Sequence, residues 1–111
     1  MDELAAAMEP LLPGNVWGIV CQQKPLPDEY MVITPVAEQI EVYSGDEDEQ
    51  ASMQYRVSWR SRAGIRGKVE KMKAAAKQAG FLIVDSPVPY YENETGFFVA
   101  HIEVMTTQPG E

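Results

Sequence analysis

Met53-Gln54-Tyr55-Arg56-Val57-Ser58-Trp59-Arg60, with Gly64-Ile65-Arg66-Gly67-Lys68-Val69-Glu70-Lys71-Met72 close behind it, decides the fold class of this 111-residue chain. The first string alternates. Met53, Tyr55, Val57 and Trp59 point one way and Gln54, Arg56, Ser58 and Arg60 the other, the period of a strand with one face on a core. Past Gly64 the period becomes helical. Ile65, Val69, Met72, Ala76 and Ala79 form one apolar stripe within residues 64–79, and Lys68, Lys71, Lys73 and Lys77 lie largely off it. Gly80 stands where a helix C-cap glycine belongs, and Lys77 favours the negative end of the helix dipole.

Toward the N-terminus, residues 2–9 read as a short helix with Asp2 as N-cap, ended or kinked at Pro10. Pro13-Gly14-Asn15 is a turn signal, and Val16 to Cys21 reads as a first strand. A second turn runs through Pro25 to Asp28. Tyr30 to Thr34 is apolar on both faces, which predicts a central strand covered on each side. Gln39 to Tyr43 makes a weaker strand. Ser44 to Gln50 is too polar and too like-charged to bury, and predicts a mobile loop over 44–52.

Toward the C-terminus, Phe81 to Val84 predicts a further buried strand, broken by Pro87 and Pro89. Tyr90 to Gly96 reads as a polar hairpin connection. The last strand, 97–105, puts Phe98, Ala100, Ile102 and Val104 on one face and Phe97, Val99, His101 and Glu103 on the other. Residues 106–111 read as a frayed tail. The whole is one domain over 1–111 of α+β class: a mostly antiparallel sheet of four to five strands with two helices packed on one face.

Composition limits the partners. The chain has no run of about 18 apolar residues, so no membrane span is expected. Its start lacks the basic and apolar stretches of a signal peptide, and Cys21 is the only cysteine, which fits synthesis in a reducing cytoplasm. Net charge is −8. Eight of the nine basic residues lie within residues 56–77, where Glu70 is the only acid, whereas Lys24 is the only base elsewhere. One face of each sign suits head-to-tail contact between copies.

Patterns for chemistry fail on named residues. His101 is the sole histidine, and no spacing brings Cys21 to it. A zinc site lacks nitrogen and sulfur ligands. An EF-hand beginning at Asp46 would need glycine at Ala51 and a carboxylate at Val57. Between Gly64 and Gly67 stand two residues where a phosphate loop has four, and Val69 replaces its Ser or Thr. A clamp on single-stranded nucleic acid at the same glycines suits a −8 chain poorly. No catalytic residue, cofactor or metal is expected, and no specific nucleic-acid binding. The expected function is to bind protein subunits. What survives is a sheet face without helices that carries Arg56, Arg60, His101 and Glu103 beside Phe97 and Val99, a mixture typical of interfaces.

Several strings resemble the tail terminator (tail completion, minor tail) proteins of long-tailed bacteriophages and prophages. They are Leu11-Leu12-Pro13-Gly14-Asn15-Val16-Trp17, Pro27-Asp28-Glu29-Tyr30-Met31-Val32-Ile33, and Tyr55-Arg56-Val57-Ser58-Trp59-Arg60-Ser61-Arg62 before the alanine-rich helix. Gly80-Phe81 and Tyr91-Glu92-Asn93-Glu94-Thr95-Gly96-Phe97 complete the set, which spans most of residues 11–105. The resemblance implies an α/β fold with a helix-flanked sheet and a hexameric ring in the virion tail. It implies that the ring ends tail-tube polymerisation and gives the head its docking surface. The partners it implies are other copies of the chain, the tail-tube protein and a head-completion or connector protein. Another head–tail connector or adaptor would share these features; a small ferredoxin-like regulatory or ligand-binding domain is the alternative of a different class. For the ring, the expected contact sets Arg56, Arg60, Arg62 or Arg66 of one subunit against Asp46, Glu47, Asp48 and Glu49 of the next, with Phe97, Val99 and His101 in the same interface.

Overall fold

The computed structural model describes residues 2–42 and 49–106, with side chains described outside 39–42 and 49–52. Helix α1, Asp2–Met8, runs into a 3-10 turn, Glu9–Leu11, that accommodates Pro10 in its first positions. Strands β1 (Val16–Gly18), β2 (Glu29–Val42) and β3 (Glu49–Ser61) follow. Helix α2 (Lys68–Gln78) then leads to β4 (Phe81–Asp85), β5 (Tyr90–Glu92) and β6 (Phe97–Thr106).

The six strands form one mixed sheet in the order β1-β2-β3-β6-β4, with β5 also paired to β6. This corrects the expected count of four to five. The sheet is not purely antiparallel either, because β1 runs parallel to β2, with Val16 beside Met31 and Gly18 beside Ile33. The other four pairings are antiparallel. The additional strand is β5, three residues that the sequence shows only as part of a polar connection.

Register turns the alternation of β3 into two faces. Trp59 lies opposite Met31 and Ala100, Val57 opposite Ile33 and Ile102, and Tyr55 opposite Val104. This set meets Leu4 and Met8 of α1 and Met72 and Ala76 of α2 in one core, so both helices cover the same face. Leu4, Met8, Met31, Ile33, Val57, Met72 and Ile102 are wholly shut from solvent. Burying side chains of this size contributes about 1.5–3 kcal/mol each before the entropy of ordering them.

Helix α2 starts later than position 64 because Gly64 and Gly67 adopt φ of +129° and +76°, conformations that favour glycine and end the approach from β3. Gly80, at φ +94°, closes the helix as expected of a C-cap glycine.

Five further expectations are corrected. The strand from Val16 stops at Gly18, because Ile19 turns into the left-handed region at φ +69°. Tyr30–Thr34 and the weaker strand after it are one strand, β2, with a bulge between Pro35 and Ala37 that lets the chain pass a proline lacking a ladder donor. Residues 49–52 of the expected loop belong to β3, paired with 39–42, while 43–48 lie outside the described residues. Strand β4 is not buried on both faces: it is an edge strand, with Leu82 and Val84 56% and 40% exposed. Thr106 ends β6 and accepts a bond from the Met53 amide at 3.0 Å; the remainder of the expected tail is outside the described residues.

Candidate functional site

Among the described residues no helix covers the second face of the sheet. Its residues are the polar half of the β3 alternation and their cross-strand neighbours: Arg56 beside Glu103, Ser58 beside His101, and Arg60 between Tyr30 and Val99. The expected grouping of Arg56, Arg60, His101, Glu103, Phe97 and Val99 on one face is therefore what the ladder produces.

Within the chain these charges are already matched. Arg56 donates to Glu103 at 2.7 Å, and Gln54 donates to the other carboxylate oxygen at 2.7 Å. Arg60 pairs with Glu92 on β5, whose second partner is the Thr95 hydroxyl at 2.7 Å. Arg62 reaches Asp28 at 3.4 Å and donates to the Thr95 carbonyl at 2.9 Å. The Arg56 bond, then the Gln54 bond, hold Glu103 below the usual carboxylate range despite its burial; the Thr95 hydroxyl, then Arg60, do so for Glu92. Arg66 is exposed and forms no ion pair with the described residues. Asp46, Glu47 and Asp48 lie outside the described residues, as does the side chain of Glu49.

Phe97 and Val99 need correction. They share the face but are 1% and 0% exposed, sealed in a second small core with Tyr30 and Cys21. Tyr30 meets the Phe97 ring edge-on at 5.5 Å, and the Arg62 and Arg60 guanidinium carbons lie 4.2 and 5.3 Å from its centroid. Two stacked cations and the chain through Cys21 thus roof the apolar part of this face. Lys68 is likewise not a solvated helix lysine. It bonds Glu29 at 2.5 Å and the Gly64 carbonyl at 2.9 Å, and Glu29 also accepts from the Trp59 indole at 2.7 Å.

His101 has bonds at both ring nitrogens, Ser58 Oγ at 2.7 Å from Nδ1 and Tyr90 Oη at 3.2 Å from Nε2. Burial first, then the Arg56 and Arg60 charges, push its pKa below the ordinary imidazole value of 6.5, so the neutral ring is favoured near neutrality. A neutral imidazole donates at one nitrogen and accepts at the other, which matches two hydroxyl neighbours. Ser58, Tyr90, Glu92 and Asp28 were not singled out from sequence. Alternation gives the side of each strand, but only register says which residue stands opposite. Among the described residues no group of three or more His, Cys, Asp or Glu side chains is placed to hold a metal ion. No described helix is long and apolar enough to cross a membrane.

The class defined by these observations is an α+β domain with a six-stranded mixed sheet, two helices on one face and paired charges on the other. No family model matches the sequence, and no curated protein sequence matches it. Among solved structures, the fold is similar to that of a chain in the virion of a native gene transfer agent (GTA) particle. The TM-score is 0.55 over 96% of this chain and 84% of that one, at 16% sequence identity.

Proposed function

We propose that this chain is a structural subunit of a phage-like particle, placed at the head–tail junction as a tail terminator. In this reading it binds other subunits and catalyses nothing. Copies form a ring, hexameric as in the resembling family, that ends tail-tube growth and receives the head. Its partners are further copies, the tail-tube protein and a head-completion or connector protein. The observation that carries the reading is the likeness in fold, over nearly the whole chain, to a chain of the gene transfer agent virion. The sequence resemblance to tail terminators supplies the position within the particle.

Deleting the chain's gene from the particle-producing strain tests the position. The expected result is tails of uncontrolled length with heads left unjoined, and restored length on re-expression. Normal-length tails that still lack heads would move the chain to a connector above the tail. Particles of normal form and infectivity or transfer would overturn the reading altogether.

A further inference from the structure

Helices α1 and α2 lie side by side on the sheet, and the surface they turn outward is unlike that of solvated helices. The groove between them is lined by Ala6, Ala7 and Pro10 on one side and by Ala74, Ala75 and Ala79 on the other. Ala6, Ala74 and Ala79 are exposed, at positions where a solvated helix ordinarily carries charge. Charge is instead sorted by helix. α1 has Asp2 and Glu3 in its first turn and no base, and Glu9 follows it. α2 exposes Lys71 and Lys77, while its one acid, Glu70, is already held by Lys73 at 4.0 Å. Asp2, Glu3, Lys71 and Lys77 form no ion pair with the described residues. Neighbouring helices thus hold opposite charges without joining them.

We infer that this groove is the face on which two copies of the chain pair about a two-fold axis running along it. The inference goes beyond the ring reading and does not rest on it, since a two-fold contact joins two copies and stops. It concerns the free chain, before a tube end is met.

A two-fold along the groove exchanges its walls, so α1 of each copy falls on α2 of the other. The acidic wall of each copy then meets the basic wall of its partner, twice over, and no other surface is needed. Ends match as well as sides. Glu3 shares a small cleft with Ala79 and Gly80, which puts the start of α1 beside the end of α2. An axis along the groove keeps that end together, so Asp2 and Glu3 of one copy come over Lys77 of the other. An axis across the groove would set each helix on its own counterpart, like charge on like. Alanine at the contact lets helix axes approach to about 8 Å. The charge pairs are exposed, so each contributes little and the contact is weak and salt-sensitive.

Sedimentation velocity of the full chain over a concentration series tests the pairing, with Lys77→Glu, Asp2→Lys/Glu3→Lys and Ala74→Gln beside wild type. Wild type should pass from one chain to two as concentration rises, and pair less in high salt. Each charge variant alone should pair on the order of tenfold more weakly, since like charges then face each other. An equimolar mixture of the two should pair as wild type does, because each reversed charge meets its reversed partner. Asp2, Glu3 and Lys77 also suit the dipoles of their own helices, so these variants should melt slightly lower. Ala74→Gln leaves the dipoles alone, keeps helix propensity and puts a longer neutral side chain in the groove, and it should weaken pairing too. Charge variants that pair like wild type, or a loss that mixing does not repair, would overturn the two-fold. Wild type that stays a single chain at every concentration, or closes directly into six, would overturn the pair. If the same variants then lost tail-tube binding, the groove would belong to the tube protein. None of these results touches the ring reading, which the gene deletion decides.

Discussion

The two faces of the sheet are written by the same strands, yet they are stabilised differently. The helix-covered face holds Met31, Ile33, Val57, Ile102 and Val104, all at 0% exposure, against two helices. The open face spends the intervening positions on Arg56, Ser58, Arg60, His101 and Glu103, each bonded to a neighbour within the chain. Apolar burial scales with area and needs no partner geometry, whereas ion pairs near solvent contribute little apiece. The first face therefore makes the fold, and the second holds its charges in pairs within the chain. Even its apolar part, Phe97 and Val99, is roofed by arginines.

Substitutions that probe one face at a time can break this contrast. The largest effect belongs to the covered face: Ile102→Ala should cost about 2–5 kcal/mol in urea denaturation, since Ile102 is wholly buried in the main core. If the cost were as small as that of an open-face substitution, the division of labour would be wrong. Next comes Arg60→Ala, which strips Glu92 of its cation and takes one of two cations off Phe97; about 1–3 kcal/mol is expected, the cost of losing a hydrogen bond to a charged, part-buried group. Arg56→Ala should cost only about 0–1 kcal/mol, because its side chain is 46% exposed and the pair is screened.

The mildest probe is pH. His101 titrates below 6.5 in the folded chain, so the unfolded chain binds the proton first, and stability present above that value falls as pH drops beneath it. Glu92 and Glu103, held below 4.5, add a second loss at lower pH, also on acidification. Thermal melts between about pH 7 and 5 should show the first step, and His101→Gln should flatten it. A melting temperature that rises on acidification would contradict the electrostatics of the open face.

The same contrast explains how much could be read from sequence. Alternation through Tyr55, Val57 and Trp59 located the core face, and the helical stripe through Val69, Met72 and Ala76 found the second helix, because both periods are imposed locally. Glycine at 80 marked the helix end for an equally local reason. What escaped depends on distant segments. Tyr30 to Thr34 and the later apolar positions merge into one strand because β3 runs beside both, and a proline between them suggests a break where the chain makes a bulge. Leu82 and Val84 look like core from composition, but the strand order puts β4 at a margin. The arginine cluster was legible as charge; its carboxylates, Glu92, Glu103 and Asp28, were legible only as partners once register was known.

The central claim is that copies of this chain build a ring on the end of a tail tube. Native mass spectrometry of the chain, alone and after capture on purified tail tubes, tests it most directly. The account predicts a closed species of six chains, formed alone or on the tubes. A chain that stays monomeric in both settings, and leaves tube growth unaltered, would contradict it.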